Sequence, residues 1–112
     1  MQYRRAKESG GIYFFTVNLA DRQSDLLIKH IADLREVLKK VKLRHPFHID
    51  AMVVLPDHLH SIWTLPKEDW DYPKRWMLIK SKFSRNIPKL EFRRKSRIAK
   101  GERGIWQRRY WD

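Results

Sequence analysis

The residues best equipped for chemistry are His58 and His60, within Val53-Val54-Leu55-Pro56-Asp57-His58-Leu59-His60-Ser61-Ile62. Alternate residues of a β-strand point to the same face, so the two imidazoles project side by side, their Cα atoms roughly 6–7 Å apart. Neutral imidazoles at that spacing can share one divalent ion, with Leu59 turned the other way into a core. His-x-His alone is a weak signal. Two half-buried strand histidines bonded to backbone carbonyls would give the same pattern, so the surroundings must decide. The apolar run at 52–55 and Ile62-Trp63 after the pair read as two neighbouring strands joined at Pro56-Asp57.

Those strands need a scaffold, and the rest of the chain supplies one. Gly10-Gly11 punctuates a basic start, and residues 12–19 (IYFFTVNL) are dense in β-branched and aromatic side chains, which predicts a first strand. Ser24 is placed as an N-cap, with Asp25 in the first turn where the helix dipole favours negative charge. Leu27, Ile31, Leu34, Leu38 and Val41 then recur at helical spacing, predicting one amphipathic helix over 25–42. Lys29, Asp33, Glu36 and Lys40 form its solvated side, and the apolar stripe reads as core, not as a cofactor site. The second strand is predicted at 47–55, after Pro46, and the third at 58–65. Asp71 is placed as the cap of a second helix with Pro73 in its first turn, Trp76, Ile79, Phe83 and Ile87 inward, and Pro88 as its stop. Lys74, Arg75, Lys82 and Arg85 are expected to make the rest of that helix a basic surface. Residues 89–103 show no clean period and predict a mobile basic loop, and 105–111 (IWQRRYW) reads as a last strand. The order β-α-β-β-α-β predicts an α+β, ferredoxin-like fold, an antiparallel sheet with two helices on one face. The histidine pair then falls on an interior strand, where a site would be rigid.

Charge narrows the partner. The chain has 112 residues, enough for one domain, with 25 Lys plus Arg against 13 Asp plus Glu, a net +12. Such an excess on a small domain points to a polyanion, and nucleic acid is the expected partner; a merely solubilising surface is the blander reading. No basic amphipathic helix of the membrane-binding kind stands out, so no membrane partner is expected. There is no cysteine, hence no disulfide framework and no thiolate zinc site. The first residues lack an apolar signal core and no window approaches a membrane span, so a cytoplasmic location is expected. Tyr3, Arg4 and Arg5 could form an arm touching phosphates or a flipped base, or a frayed terminus. Arg93, Arg94, Lys95 and Arg97 in the basic loop are further candidate contacts. Arg108 and Arg109, interleaved with aromatics, suit a surface that stacks bases and holds phosphates, or an ordinary half-buried edge strand.

With these elements in place the chain resembles the single-tyrosine HUH transposases, and within them the REP-associated tyrosine transposases. The resemblance rests on Tyr3-Arg4-Arg5, on residues 11–19, on Pro46-Phe47, on residues 53–63 and on residues 105–112, in the family's order. Only the basic loop looks like an insertion. The resemblance implies a single-strand DNA transposase or nickase that binds hairpin DNA, with His58 and His60 holding Mg²⁺ or Mn²⁺ to polarise the scissile phosphate. It also implies attack by a tyrosine on a helix after the last strand, leaving a 5′-phosphotyrosine. A phosphodiester anion repels a nucleophile, so charge must be withdrawn while the phenol is aimed in line. The family's nucleophile and third metal ligand follow the equivalent of Tyr110-Trp111-Asp112, so both are expected beyond Asp112. Tyr110 lies in the motif before that helix, and Tyr3, Tyr13 and Tyr72 match the position no better. No catalytic tyrosine is therefore assigned, and 1–112 is expected to be a single domain incomplete at its C-terminus.

Three functions follow from these readings. The first is a transposase domain, inactive in cleavage as it stands. The second is a catalytically inactive module for single-stranded DNA or RNA, with structural histidines. The third is a small metal-dependent hydrolase, for which the charge gives no motive. An uncovered apolar patch near the histidines is expected to invite a homodimer or the basic loop.

Overall fold

The computed structural model describes residues 2–5, 11–87 and 104–107. Four strands, β1 (Gln2–Arg5), β2 (Ile12–Asn18), β3 (His48–Val54) and β4 (His58–Thr64), form one antiparallel sheet in the order β1-β2-β4-β3. Three helices accompany them: α1 (Leu26–Lys29), α2 (Ile31–Arg44) and α3 (Tyr72–Arg85). Leaving β1 aside, the order β2-α2-β3-β4-α3 and the sheet order are those of the expected ferredoxin-like fold. Among the described residues the last strand is represented by Leu19 bridging Trp106, with Ala20 N–H donating to Ile105 O (2.9 Å) and Gln107 N–H to Asn18 O (3.1 Å). The rest of that predicted strand and the basic loop lie outside the described residues.

The sheet's two faces follow from the two-residue period of its strands. Tyr13, Phe15, Val17 and Leu19 of the β2 segment and Leu59, Trp63 and Leu65 of the β4 segment are buried on one side. They share a single core with Leu34, Val37, Leu38 and Val41 of α2 and Trp76, Ile79 and Phe83 of α3. Trp76 stacks on Trp63 at 4.6 Å between ring centroids and meets Phe15 edge-on at 5.4 Å, which fixes α3 over the middle of the sheet. The opposite side has no helix among the described residues. Ile12, Phe14 and Val53 remain exposed there, at 55%, 44% and 56%.

The structure corrects the sequence reading at several points, the smallest being that Asp25 rather than Ser24 is the N-cap residue of α1. Residues 2–5, for which the sequence left a nucleic-acid-contacting arm or a frayed terminus open, are not frayed but form a strand, pairing with β2 from Gln2 opposite Phe15 to Arg5 opposite Ile12. They thus occupy the edge beside the first half of β2, while Ile105 to Gln107 take the edge at its far end. The helix predicted over 25–42 is two helices, because His30 leaves helical geometry at φ −113°, ψ 37°. Hydrogen bonding runs through the break, His30 N–H to Leu26 O and Leu34 N–H to His30 O, so the apolar spacing survives it. Arg75, expected on a basic surface, is 3% exposed. Its five N–H groups meet the carbonyls of His45, Pro46 and Asp71 and both carboxylate oxygens of Asp69 at 2.9–3.2 Å. That accounts for every guanidinium donor and ties the entry of β3 to the start of α3. Elsewhere α3 follows the prediction, with Asp71 capping through Lys74 N–H and Pro in the first turn.

Candidate functional site

His58 and His60 stand on the helix-free face of β4, which pairs along its length with β2 on one side and β3 on the other. Leu59 between them is fully buried, as the alternation requires. The register places Asn18 opposite His58, and Thr16 and Val53 on either side of His60. Residues opposite one another in a pleated sheet share a face, so this register gathers Thr16, Asn18 and both histidines into one patch. The imidazole centroids are 5.0 Å apart with their planes nearly perpendicular, at 83°.

Each ring is held through the same nitrogen. His58 Nδ1 lies 2.8 Å from Asp57 Oδ1, and His60 Nδ1 lies 3.0 Å from Thr16 Oγ1. The Phe14 ring lies nearly parallel to that of His60, at 5.9 Å and 13°. Among the described residues neither Nε2 has a hydrogen-bond partner. Rings anchored at Nδ1 with Nε2 turned outward are what divalent-metal ligation by histidine asks for. Asp57 in turn accepts from Arg22 Nε. The Arg22 and His58 hydrogen bonds hold the Asp57 carboxyl down to about 2 from its usual 3.8. The turn that carries Asp57 is pinned by backbone bonds, Leu19 N–H to Asp57 O (2.8 Å), Leu27 N–H to Pro56 O (3.2 Å) and Leu55 N–H to His58 O (2.8 Å). Both β2 and α1 therefore fix the loop on which the pair depends.

The donor set fits a divalent ion in part. Two outward Nε2 atoms can ligate, but among the described residues no group of three His, Cys, Asp or Glu side chains could enclose a metal. Asp57 is committed to Arg22 and His58. Octahedral ions would have to complete their coordination with water or ligand oxygens. Near the pair, Asn18 Nδ2 donates to Gln107 Oε1 at 3.5 Å, bringing residue 107 to the same end of the sheet.

Sequence reasoning found the pair but not Thr16, Asp57, Arg22 or Phe14 as its supports. By local pattern the Pro-Asp just before His58 signals only a turn, although an acid adjacent in sequence to a strand histidine is a usable signal of a support for its ring. Tyr3, Arg4 and Arg5 belong to β1, where Tyr3 sits opposite Phe14 and Arg5 opposite Ile12, both register positions of the helix-free face. Arg93, Arg94, Lys95, Arg97, Arg108 and Arg109 lie outside the described residues, as does Tyr110. Tyr13 is buried in the helix-side core and Tyr72 packs on it, their rings 4.9 Å apart, so neither faces the histidines.

Comparison with known proteins gives consistent relatives. The family described as "Transposase IS200 like" matches residues 11–111. The REP-associated tyrosine transposase of Escherichia coli K12 is 44% identical over 111 residues, 99% of this chain and 59% of that protein. A relative from Haemophilus influenzae is 41% identical over 98% of this chain and 63% of its own length. A solved structure of a REP-associated tyrosine transposase bound to a REP hairpin superposes with a TM-score of 0.73 and 45% identity, covering 97% of this chain and 58% of that one. The chain thus spans about 60% of the length of the relatives it matches. Among the described residues no helix is long and apolar enough to cross a membrane.

Proposed function

The chain belongs to the IS200-like transposase family, and from that premise we propose that it binds single-stranded or hairpin DNA of the REP type and, as part of a transposase, presents a phosphodiester to a divalent ion held by His58 and His60. The observation that carries this reading is the pair itself, two outward Nε2 atoms on an open sheet face with both Nδ1 atoms held from behind. Bound there, Mg²⁺ or Mn²⁺ would withdraw charge from a scissile phosphate. The chain's own part is to hold two imidazoles in register, to fix their orientation through Asp57 and Thr16, and to offer cationic surface to the backbone. The net charge of +12 supports the last of these. Because the relatives are considerably longer, cleavage and strand transfer are proposed of the transposase as a whole. No tyrosine of this chain is given the nucleophile's role: Tyr13 and Tyr72 are on the wrong side of the sheet.

A second reading keeps the DNA and drops the cleavage. The two-ligand donor set favours a module that binds hairpins without cutting them. Manganese titration and hairpin binding separate the readings. The first expects weak Mn²⁺ binding that is lost in His58→Ala and His60→Ala, and hairpin affinity that falls with salt by roughly −0.7 in log–log slope per single-strand phosphate neutralised. Mn²⁺ binding indifferent to both substitutions would remove the metal role, and salt-independent affinity would remove the DNA role. Arg4→Ala with Arg5→Ala should reduce discrimination between a REP hairpin and a scrambled one. An equal loss on both hairpins would mean plain phosphate contacts.

A further inference from the structure

The two histidines look equivalent in sequence, but their supports differ in chemistry. Behind His58 stands a carboxylate, which in its ionised form only accepts hydrogen bonds. With Asp57 Oδ1 at 2.8 Å, the stable neutral form of His58 carries its proton on Nδ1 and leaves a lone pair on Nε2. Arg22 Nε, bonded to Oδ2, occupies the other carboxylate oxygen and stops the group from turning. Behind His60 stands a hydroxyl, which can donate or accept by rotating its hydrogen. Thr16 Oγ1 at 3.0 Å thus serves either neutral form of His60 equally well. Phe14 stacked on His60 restrains the plane of the ring and is blind to which nitrogen is protonated.

We propose that Asp57, clamped by Arg22, is a positioning residue that presets His58 with its Nε2 lone pair outward, while Thr16 leaves His60 able to present either a lone pair or an N–H. The inference deepens the metal reading above and, in its consequence for metal, rests on it. His58 is then the anchoring ligand, ready before any ion arrives. His60 is the adaptable one, a ligand when an ion is present and an N–H donor toward a phosphate oxygen when it is not.

Nitrogen-15 NMR of the imidazoles, on the metal-free full chain at a pH where both rings are neutral, reads the proton's position directly. The expected result is His58 almost wholly in the Nδ1–H form and His60 as a mixture. Asp57→Ala should release His58 into a mixture and leave the His60 signals in place. Arg22→Ala should do the same to a smaller degree, and Thr16→Val should shift His60 alone. Preserved amide dispersion in each variant shows that the fold survives. Arg22→Ala keeps the test open if Asp57→Ala does not fold. Finding His58 as Nε2–H in the parent chain, or both histidines shifting equally in Asp57→Ala, would overturn the proposal. Mn²⁺ titration of the same samples then separates it from the metal reading. A 10–100-fold loss of affinity in Asp57→Ala, with only a few-fold loss in Thr16→Val, supports both. The expected proton positions with no Mn²⁺ binding in the parent chain support the positioning role and overturn the metal reading.

Discussion

The two faces of β2 and β4 use one pair of strands for opposite purposes. On the helix side Phe15, Leu59 and Trp63 are sealed beneath α2 and α3, and aromatic rings meet at 4.6–5.4 Å. On the other side, one residue along each strand, Phe14, Thr16, His58 and His60 are half-buried or exposed and make their contacts through polar atoms and two ring pairs, Phe14 with His60 and His58 with His60. Two consecutive residues, Leu59 and His60, can therefore be subject to unrelated demands. The first fills volume in the core, and the second is anchored on the open face through Thr16. The helix face supplies the rigidity that holds the open face in register. Leu59, fully buried between the histidines, and the stacked Trp63 and Trp76 further along the strand hold β4 in place.

Substitutions on the helix face test the division most severely. Trp63→Ala or Trp76→Ala should cost about 3–5 kcal/mol in urea-induced unfolding. A loss no larger than that of an open-face substitution would mean that the faces are not divided as described. Arg75→Met comes next, at roughly 1.5–3 kcal/mol, because it strands Asp69 and three carbonyls that the guanidinium satisfied. Arg75→Lys should recover little of it, since one ammonium cannot replace a five-donor fork. Val53→Thr and His60→Ala, on the open face, should move stability by no more than about 0.5 kcal/mol. His60→Ala should nevertheless abolish the Mn²⁺ response, which sharpens the contrast between holding the fold and doing its work.

The smallest expected effect is one of acidity. Asp57 titrates at about 2 in the folded chain against 3.8 ordinarily, so its ionised form is favoured by folding. Its contribution is fully present above about pH 4 and is lost as the pH falls toward 2. Asp69, lowered chiefly by its hydrogen bond to Arg75, works in the same direction. Arg22→Ala should raise the Asp57 pKa toward 3.8, measurable from the carboxyl carbon by NMR. An unchanged pKa would show that His58 alone holds the carboxylate down.

Much of this was legible because strands advertise themselves by alternation. Residues 12–19, 47–55 and 58–65 were predicted within a residue of β2, β3 and β4, and the Asp71 cap gave the start of α3. What escaped notice depends on pairing. Gln2 to Arg5 carry no apolar alternation, and only the exposed edge of β2 makes them a strand. The break at His30 is invisible because Leu27, Ile31 and Leu34 keep helical spacing across it. Arg75 could have been foreseen: it lies four residues before Ile79 and eight before Phe83, on the stripe that α3 buries. A charge at such a position calls for a search for carbonyls, which the sequence does not locate. Thr16 reaches His60 only through the register of β2 on β4, which no local pattern specifies.

The edge of β2 also bears on the order in which the molecule is made. Its first half pairs with residues a few positions earlier in the chain, whereas its far end waits for Trp106. The pairings among β2, β3 and β4 span shorter stretches of chain than the bridge from Leu19 to Trp106, so the histidine-bearing sheet can hydrogen-bond among these three strands before that edge is closed. Closing the long loop to Leu19 carries an entropy cost that grows only with the logarithm of its length, and contacts so remote in sequence form late. Trp106 then settles against Phe83, 5.5 Å between rings, with its indole N–H on Lys80 O at 3.2 Å. That contact acts as a latch fitted after assembly. Loosening it should hasten unfolding and leave the folding rate nearly untouched.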